Sequence, residues 1–213
     1  MTIQGAKPNG AETLICRDES AGLLGVIVVD DTRAGPALGG IRMRPYPSPA
    51  AAEAECARLA HQMTLKCALA QIGFGGGKSV IVAPPADVDR AELLRAFGRC
   101  VARLDGAYIP AADMGTSSAD LAIVAETAGD AATMDTSAAT ARGVFAAIAA
   151  AVRVAVERPD LAGVSVYVQG VGNVGARLAR ALAEAGARLL LADADAERVE
   201  SLARELGGEV VAP

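Results

Sequence analysis

The chain has 213 residues, a formal net charge of -5, 52% hydrophobic residues, 3% aromatics, no Trp and one His. That length predicts one large domain or two small ones with enough interior for a real core, while the acidic balance and the shortage of aromatics exclude a basic face or stacking platform for nucleic acid. The sequence lacks an uncharged apolar run of about 18 residues, although Ala146 to Val152 is very apolar, and its N-terminus lacks a basic-then-apolar signal, so no membrane association and a cytoplasmic setting are expected.

In chain order, the first segment reads as strands: Glu12 to Arg17, Gly22 to Val29, and a glycine-punctuated stretch from Gly35 to Met43. Gly22 to Val29 is read as an edge strand without charge protection along its length. Ser48 before Pro49 is an N-cap with proline at the first helical position, opening an Ala-rich helix to about Ala70. Met63 and Lys66 share one face of that helix, and His61 within it reads as structural. Ser79 to Ala83 is expected as a short buried strand with Lys78 at its entrance. Asp87 is expected to cap a helix from Arg90 to Leu104, followed by a strand from Ala107 to Pro110 and a helix from Ser117 to Ala128. The polar, small-residue stretch from Gly129 to Ser137 divides the chain into domains of residues 1–136 and 137–213. Beyond it come a helix from Thr140 to Val156, a strand from Val164 to Gln169, a glycine turn, a helix from Ala176 to Ala185, a strand from Arg188 to Asp193 and a helix from Ala196 to Leu206. This is the opening of a doubly wound α/β unit.

Two features carry chemistry. Lys66 and Lys78 are the only lysines besides Lys7, in a chain that otherwise takes its positive charge from arginine, and both lie in an apolar, Gly-rich neighbourhood. An ammonium loses its proton when desolvated whereas a guanidinium does not, which suits a general base or a carbonyl-chemistry lysine. The second feature is Gly170-Val171-Gly172-Asn173-Val174-Gly175, a G-x-G-x-x-G turn between a strand and a helix, with Asp193 ending the next strand. Gly170 permits the tight turn, Gly172 lets backbone approach a pyrophosphate, and Gly175 allows close packing of helix on strand. The helix amides then hold phosphate. Asp193 suits the ribose hydroxyls and repels a 2′-phosphate, so NAD is favoured over NADP. Cys16, Cys56, Cys67 and Cys100 lack C-x-x-C spacing and read as buried, reduced thiols; with one His, no metal site is expected.

Five motifs together resemble the glutamate/leucine/phenylalanine/valine dehydrogenase family: Ala37-Leu38-Gly39-Gly40-Ile41-Arg42-Met43, Met63-Thr64-Leu65-Lys66, Gly75-Gly76-Gly77-Lys78-Ser79-Val80-Ile81, Ala112-Asp113-Met114-Gly115-Thr116 and Thr140-Ala141-Arg142-Gly143-Val144. The resemblance implies an α/β fold, with an N-terminal substrate and oligomerisation domain followed by a partial Rossmann domain. It implies a homo-oligomer that deaminates an L-amino acid to a 2-oxo acid and ammonia with a nicotinamide cofactor. Carried over by residue, Lys66 pairs with the α-carboxylate, Lys78 activates water and shuttles protons, Asp113 exchanges the amino-group proton, Gly39 and Gly40 line the pocket, and Thr140 sits near the nicotinamide. Met63 suits core packing and a pocket role equally. The physical reading of the residues agrees: a cationic iminium needs a base that is neutral at working pH, and a desolvated lysine flanked by another cation has its pKa lowered.

Where glutamate dehydrogenases have a lysine before the Gly-Gly pair, this chain has Leu38, which would leave a second carboxylate unpaired at a cost of roughly 2–7 kcal/mol. Leucine, valine, isoleucine or phenylalanine remain as substrates. Family members continue well beyond Pro213, so the Rossmann domain is expected to be incomplete. Two further readings stay open beside the dehydrogenase: a non-catalytic dinucleotide-binding or regulatory subunit, and a 2-hydroxy-acid oxidoreductase.

Overall fold

The structure is a computed structural model that describes residues 2–4, 11–129 and 137–212. The chain divides into two compact units, Met1–Met134 and Asp135–Pro213. Most of the polar stretch expected to separate the domains, residues 130–136, lies outside the described residues.

The first unit contains strands β1 (Thr2–Gln4), β2 (Glu12–Asp18), β3 (Leu23–Asp31) and β4 (Ala37–Arg44), then helix α1 (Pro49–Ala70), strand β5 (Gly75–Val82), helix α2 (Arg90–Ala102), strand β6 (Tyr108–Ala112) and helix α3 (Ser118–Ala128). They form one mixed sheet in the order β1-β2-β3-β5-β4-β6. The pairs β1 with β2, β2 with β3 and β3 with β5 are antiparallel, whereas β4 runs parallel to both β5 and β6. One face packs Leu23, Ile27, Val29, Ile41 and Ile81 against α2 and α3. On the opposite face, Val26, Val28 and Val80 meet Ala52, Cys56 and Ala60 of α1.

This two-sided burial corrects the reading of Gly22 to Val29 as an edge. As β3, the segment lies between β2 and β5 and is covered on both faces, which is why its sequence is continuously apolar rather than alternating. The glycines before Lys78 are likewise strand rather than loop: β5 starts at Gly75, so Lys78 sits inside the strand and not at its entrance. Helix α1 begins as read, with Ser48 Oγ accepting the Ala51 amide and Pro49 opening the helix. The cap of α2 is Asp89 instead of Asp87, its carboxylate accepting the Ala91 and Glu92 amides. Both acids precede the helix, and only Asp89 lies within reach of the orphan amides of its first turn.

The second unit runs α4 (Ser137–Ala155), β7 (Ser165–Gln169), α5 (Asn173–Glu184), β8 (Arg188–Ala192), α6 (Ala196–Leu206) and β9 (Glu209–Val210). Its three strands are parallel in the order β7-β8-β9, the succession that strand-helix-strand crossovers produce. Leu178, Leu182, Leu189, Leu191, Val199 and Leu202 close its core. Among the described helices, α4 is long and apolar enough to cross a membrane by length and composition. It nevertheless carries Arg142 and Arg153, and it packs on α5 with Ala141 and Val152 buried in the unit's core.

Candidate active site

Because side chains alternate across a strand, Leu38, Gly40 and Arg42 of β4 share the face that α1 partly covers. Register places Leu38 beside Gly76 of β5 and Ile109 of β6, and Gly40 beside Ala111. Lys78 lies on the same face, and Asp113 follows directly on β6. Lys78 Nζ donates to Asp113 Oδ2 at 2.7 Å, and Arg42 Nε donates to the same oxygen at 2.9 Å. Lys78 is 6% exposed, whereas the Asp113 side chain is 25% exposed. One member of the pair is thus sequestered and the other reaches solvent.

Glycine makes this approach possible. A Cβ on Gly40 would lie 2.7 Å from Asp113 Cβ and 3.0 Å from Lys78 Nζ, so any side chain there displaces the ion pair. On the opposite face, a Cβ on Gly39 would overlap the Gly77 carbonyl oxygen. The Gly39 carbonyl is itself fixed from below, accepting from the buried Tyr108 hydroxyl at 2.7 Å; that hydroxyl also meets Ser79 Oγ at 3.0 Å. The turn carrying Asp113 is pinned as well: Thr116 Oγ1 accepts the Asp113 amide at 3.0 Å and donates to the Ile41 carbonyl at 2.7 Å. Arg90 ties the same turn to α3 by donating to the Gly115 carbonyl and to both oxygens of Asp120.

The electrostatics follow from this geometry. Burial pushes the Lys78 ammonium down, the Asp113 hydrogen bond and charge oppose it, and Arg42 adds to the fall, leaving the group below the ordinary lysine value. Burial pushes the Asp113 carboxyl up, but Lys78, the Met114 amide and Arg42 outweigh it and hold the acid below the ordinary carboxylate value. Asp113 is therefore ionised at neutral pH while Lys78 is brought nearer to neutrality, as a proton shuttle requires.

The cation expected beside Lys78 is Arg42, whose Nη1 also donates to Glu55 Oε1 of α1 at 2.6 Å; Arg44 pairs with the other oxygen of Glu55. Arg42 stood in a motif without a role. The signal that finds it is the strand period, which sets it two residues beyond Gly40 on the same face. Glu55 had no comparable signal, because only the docking of α1 brings it there. Met63 is half-buried on α1, and Lys66 is exposed, makes no hydrogen bond to Lys78 or Asp113 and has no ion pair among the described residues. Thr64 between them donates to Asp30 Oδ2 at 2.7 Å, where His61 Nδ1 also lies at 3.3 Å. His61 is thus a surface residue of the helix. All four cysteines are free and buried, as read.

In the second unit, Gly170 has φ of +89°, and a Cβ on Gly175 would overlap its carbonyl oxygen. Gly172 is the N-cap of α5 with no side chain bonded to the helix amides, and a Cβ there would meet nothing within 4 Å. Open space in front of uncapped amides fits a pyrophosphate. Asn173 and Val174 form the first turn of α5. Asp193 closes the loop: Oδ2 accepts the Val171 amide at 2.6 Å and Oδ1 the Asp195 amide at 2.9 Å. Thr140 lies on the exposed side of the first turn of α4.

Residues 13–129 match the model of the Glu/Leu/Phe/Val dehydrogenase dimerisation domain, and residues 133–196 match that of the Glutamate/Leucine/Phenylalanine/Valine dehydrogenase domain. The chain is 38% identical over 210 residues to a leucine dehydrogenase of Bacillus subtilis, covering 95% of this chain and 58% of that protein. It is 40% identical over 207 residues to a phenylalanine dehydrogenase of Thermoactinomyces intermedius, covering 93% of this chain and 57% of that protein. The crystal structure of an L-tryptophan dehydrogenase from Nostoc punctiforme superposes with a TM-score of 0.66 at 36% identity, over 94% of this chain and 58% of that one. The chain thus spans under two thirds of the length of these relatives. By its five motifs, its glycine-built ion-pair site and the match of both domain models, it belongs to the glutamate/leucine/phenylalanine/valine dehydrogenase family.

Proposed function

We propose that this protein catalyses the NAD-dependent oxidative deamination of an apolar L-amino acid, of the leucine, valine, isoleucine or phenylalanine class, to the 2-oxo acid and ammonia. The observation that carries the reading is the Lys78–Asp113 pair at 2.7 Å, set against the backbone of Gly40, with Leu38 two residues before Gly40 on the same face of β4. Gly170, Gly172, Asn173, Val174 and Gly175 would hold the pyrophosphate of NAD, Asp193 would serve its ribose and Thr140 its nicotinamide end, and the cofactor would supply the hydride acceptor.

Lys66, exposed and without an ion pair among the described residues, takes the substrate α-carboxylate. Gly39, Gly40, Leu38 and Met63 shape the pocket. Asp113 accepts a proton from the substrate ammonium so that the amine lone pair assists departure of the α-hydrogen. Neutral Lys78 then takes a proton from water as the oxygen adds to the iminium carbon, gives it to the carbinolamine nitrogen and, neutral again, takes the hydroxyl proton as the C–N bond breaks, ammonia leaves and the ketone forms. Leu38 argues against glutamate, whose side-chain carboxylate would face hydrocarbon where a glutamate-selective site needs a cation. We also read the protein as a homo-oligomer, in keeping with the match to a dimerisation domain, and as cytoplasmic, in keeping with four unbridged thiols.

The deciding experiment follows NADH formation by the 213-residue chain with L-leucine, L-valine, L-phenylalanine and L-glutamate, alongside Lys78→Ala. Turnover with apolar substrates that falls by about 10²–10⁴-fold in the variant is the expected result. No turnover with any of them, while NAD still binds, would favour a non-catalytic dinucleotide-binding subunit. Turnover with glutamate alone would overturn the argument from Leu38.

A further inference from the structure

The oxygen that receives Lys78 is not reserved for it. Asp113 Oδ2 accepts Arg42 Nε at 2.9 Å as well as Lys78 Nζ at 2.7 Å. Behind Arg42 stands Glu55, bound to Arg42 Nη1 at 2.6 Å and paired with Arg44. Charges therefore alternate from Lys78 to Asp113, Arg42, Glu55 and Arg44 across β5, the β6 turn, β4 and α1. Arg42 and Glu55 are largely withdrawn from water, with side chains 18% and 13% exposed, so their interaction is only weakly screened.

A lysine that serves as a base must spend part of its cycle neutral. If Lys78 were the only counter-ion of Asp113, each deprotonation would leave a half-buried carboxylate unpaired, which is costly. A guanidinium keeps its charge throughout and does not lose its proton to the site. We propose that Arg42, anchored by Glu55, is a positioning residue that serves as the standing counter-ion of Asp113, so that Lys78 can give up its proton without stranding the carboxylate. The inference rests on the dehydrogenase reading for its purpose but not for its test.

The groups around Lys78 are few. Arg42 lies on β4 and Asp113 after β6. Cys56 of α1 donates its thiol hydrogen to the Lys78 carbonyl, and burial pushes that thiol up to about 12, so it stays neutral. Glu53, Glu55 and Lys66 share the same helix. On β3, Val28 stands opposite Lys78, and Asp30 beyond it is bound to Thr64 and His61. Tyr108 lies on the far face, kept protonated by burial.

Because the chain has three lysines, ε-¹³C-lysine labelling gives three resonances, assigned with Lys7→Arg and Lys66→Arg, and the Lys78 midpoint is read by titration. Arg42→Gln should raise that midpoint above wild type, since Asp113 then has Lys78 as its remaining partner. Arg42→Lys should keep it below Arg42→Gln, and Glu55→Gln, which removes a nearby negative charge, should lower it. A folded Arg42→Gln protein, checked by circular dichroism, whose Lys78 midpoint is unchanged or lowered would overturn the proposal. If that variant does not fold, Glu55→Gln decides, an unchanged or raised midpoint being the adverse outcome. In turnover, Arg42→Gln should move the acidic limb of kcat/KM to higher pH and reduce the rate near neutral pH by about 100-fold, whereas a merely structural loss lowers the rate without moving the limb. Lysine midpoints that move as stated in a protein without turnover would uphold the role of Arg42 and count against the dehydrogenase reading alone.

Discussion

Gly39 and Gly40 are neighbours with opposite reasons for being glycine, and substitution separates them. Gly40 faces the ion pair, where a Cβ meets Asp113 Cβ at 2.7 Å and Lys78 Nζ at 3.0 Å. Those are side-chain atoms, one of them at the end of a flexible chain, and the backbone contact, the Ala112 carbonyl oxygen at 3.2 Å, is the longest of the three, so the site gives way before the fold does. Gly40→Ala is expected to leave the melting temperature within a few degrees of wild type while displacing Asp113 and reducing turnover by about 100-fold. Gly39 faces backbone, the Gly77 carbonyl oxygen of β5, and neither strand can retreat without breaking the β4–β5 ladder. Gly39→Ala should therefore lower stability by several kcal/mol, the penalty of overpacking combined with lost ladder bonds, and give poorly soluble protein. Circular dichroism melts and NADH assays on both variants check the pair; equal stability for the two would contradict the assignment of faces.

At the scale of elements, the β7–α5 turn makes a similar division. Gly172 has φ of -71°, a backbone any residue adopts, and a Cβ there points into open space. Gly172→Val should thus fold normally yet obstruct the approach of a pyrophosphate to the α5 amides. Gly175 packs α5 onto the Gly170 carbonyl, so Gly175→Val should destabilise the unit with or without ligand. The expected readout is thermal: NAD at 100 times its Kd stabilises wild type by about 2.7 kcal/mol, leaves the melting point of Gly172→Val where it was, and does not restore Gly175→Val. A melting shift in Gly172→Val equal to wild type would place the cofactor elsewhere. The same segment shows how far periodicity reaches. The strand and the helix were both legible, but α5 begins at Asn173 rather than Ala176, because the helix starts within the glycine motif that looked like turn.

For the whole molecule, the carboxylates give the pH dependence of stability its sign. Asp18, Asp31, Glu55, Asp113, Asp120, Asp193 and Glu205 are all held below their ordinary values, by hydrogen bonds from Ser20 for Asp18, Arg33 for Asp31, Arg90 for Asp120, the Asp195 amide for Asp193 and Arg180 for Glu205. Burial opposes the shift at Glu55 and Asp113, and their cationic partners outweigh it. A depressed folded pKa contributes stability that is present above the unfolded value, about 4, and is lost as pH falls through the folded value. The melting temperature is therefore expected to hold through neutral pH and to fall steeply below about pH 4. Asp120→Asn should lower the neutral melting temperature and make the acid slope shallower. Lys78 acts at the other end: its folded value is lowered from 10.5, so the unfolded chain binds more protons between the two values and stability gains from this group as pH rises through that window. Melting curves from pH 2 to 11 for wild type, Asp120→Asn and Lys78→Met check both slopes.

By itself the sequence determined what depends on local order along the chain. The Ser48–Pro49 start of α1, the strand-turn-helix context of the glycine loop, the free thiols and the motifs that carry Lys78 and Asp113 all follow from residue type and spacing. Tertiary structure decided what depends on which segments meet. It turned β3 from an edge into an interior strand, because apolar residues run continuously both in a strand covered on two faces and in an unprotected edge. It drew Gly75, Gly76 and Gly77 into β5, since glycine is as much at home in a strand approached closely by neighbours as in a loop. It also joined Lys78 and Arg42 on one oxygen of Asp113, with Glu55 behind Arg42, from positions far apart in sequence. An ion pair leaves no periodic signal in a chain; it forms where strand order and helix docking bring opposite charges together away from water.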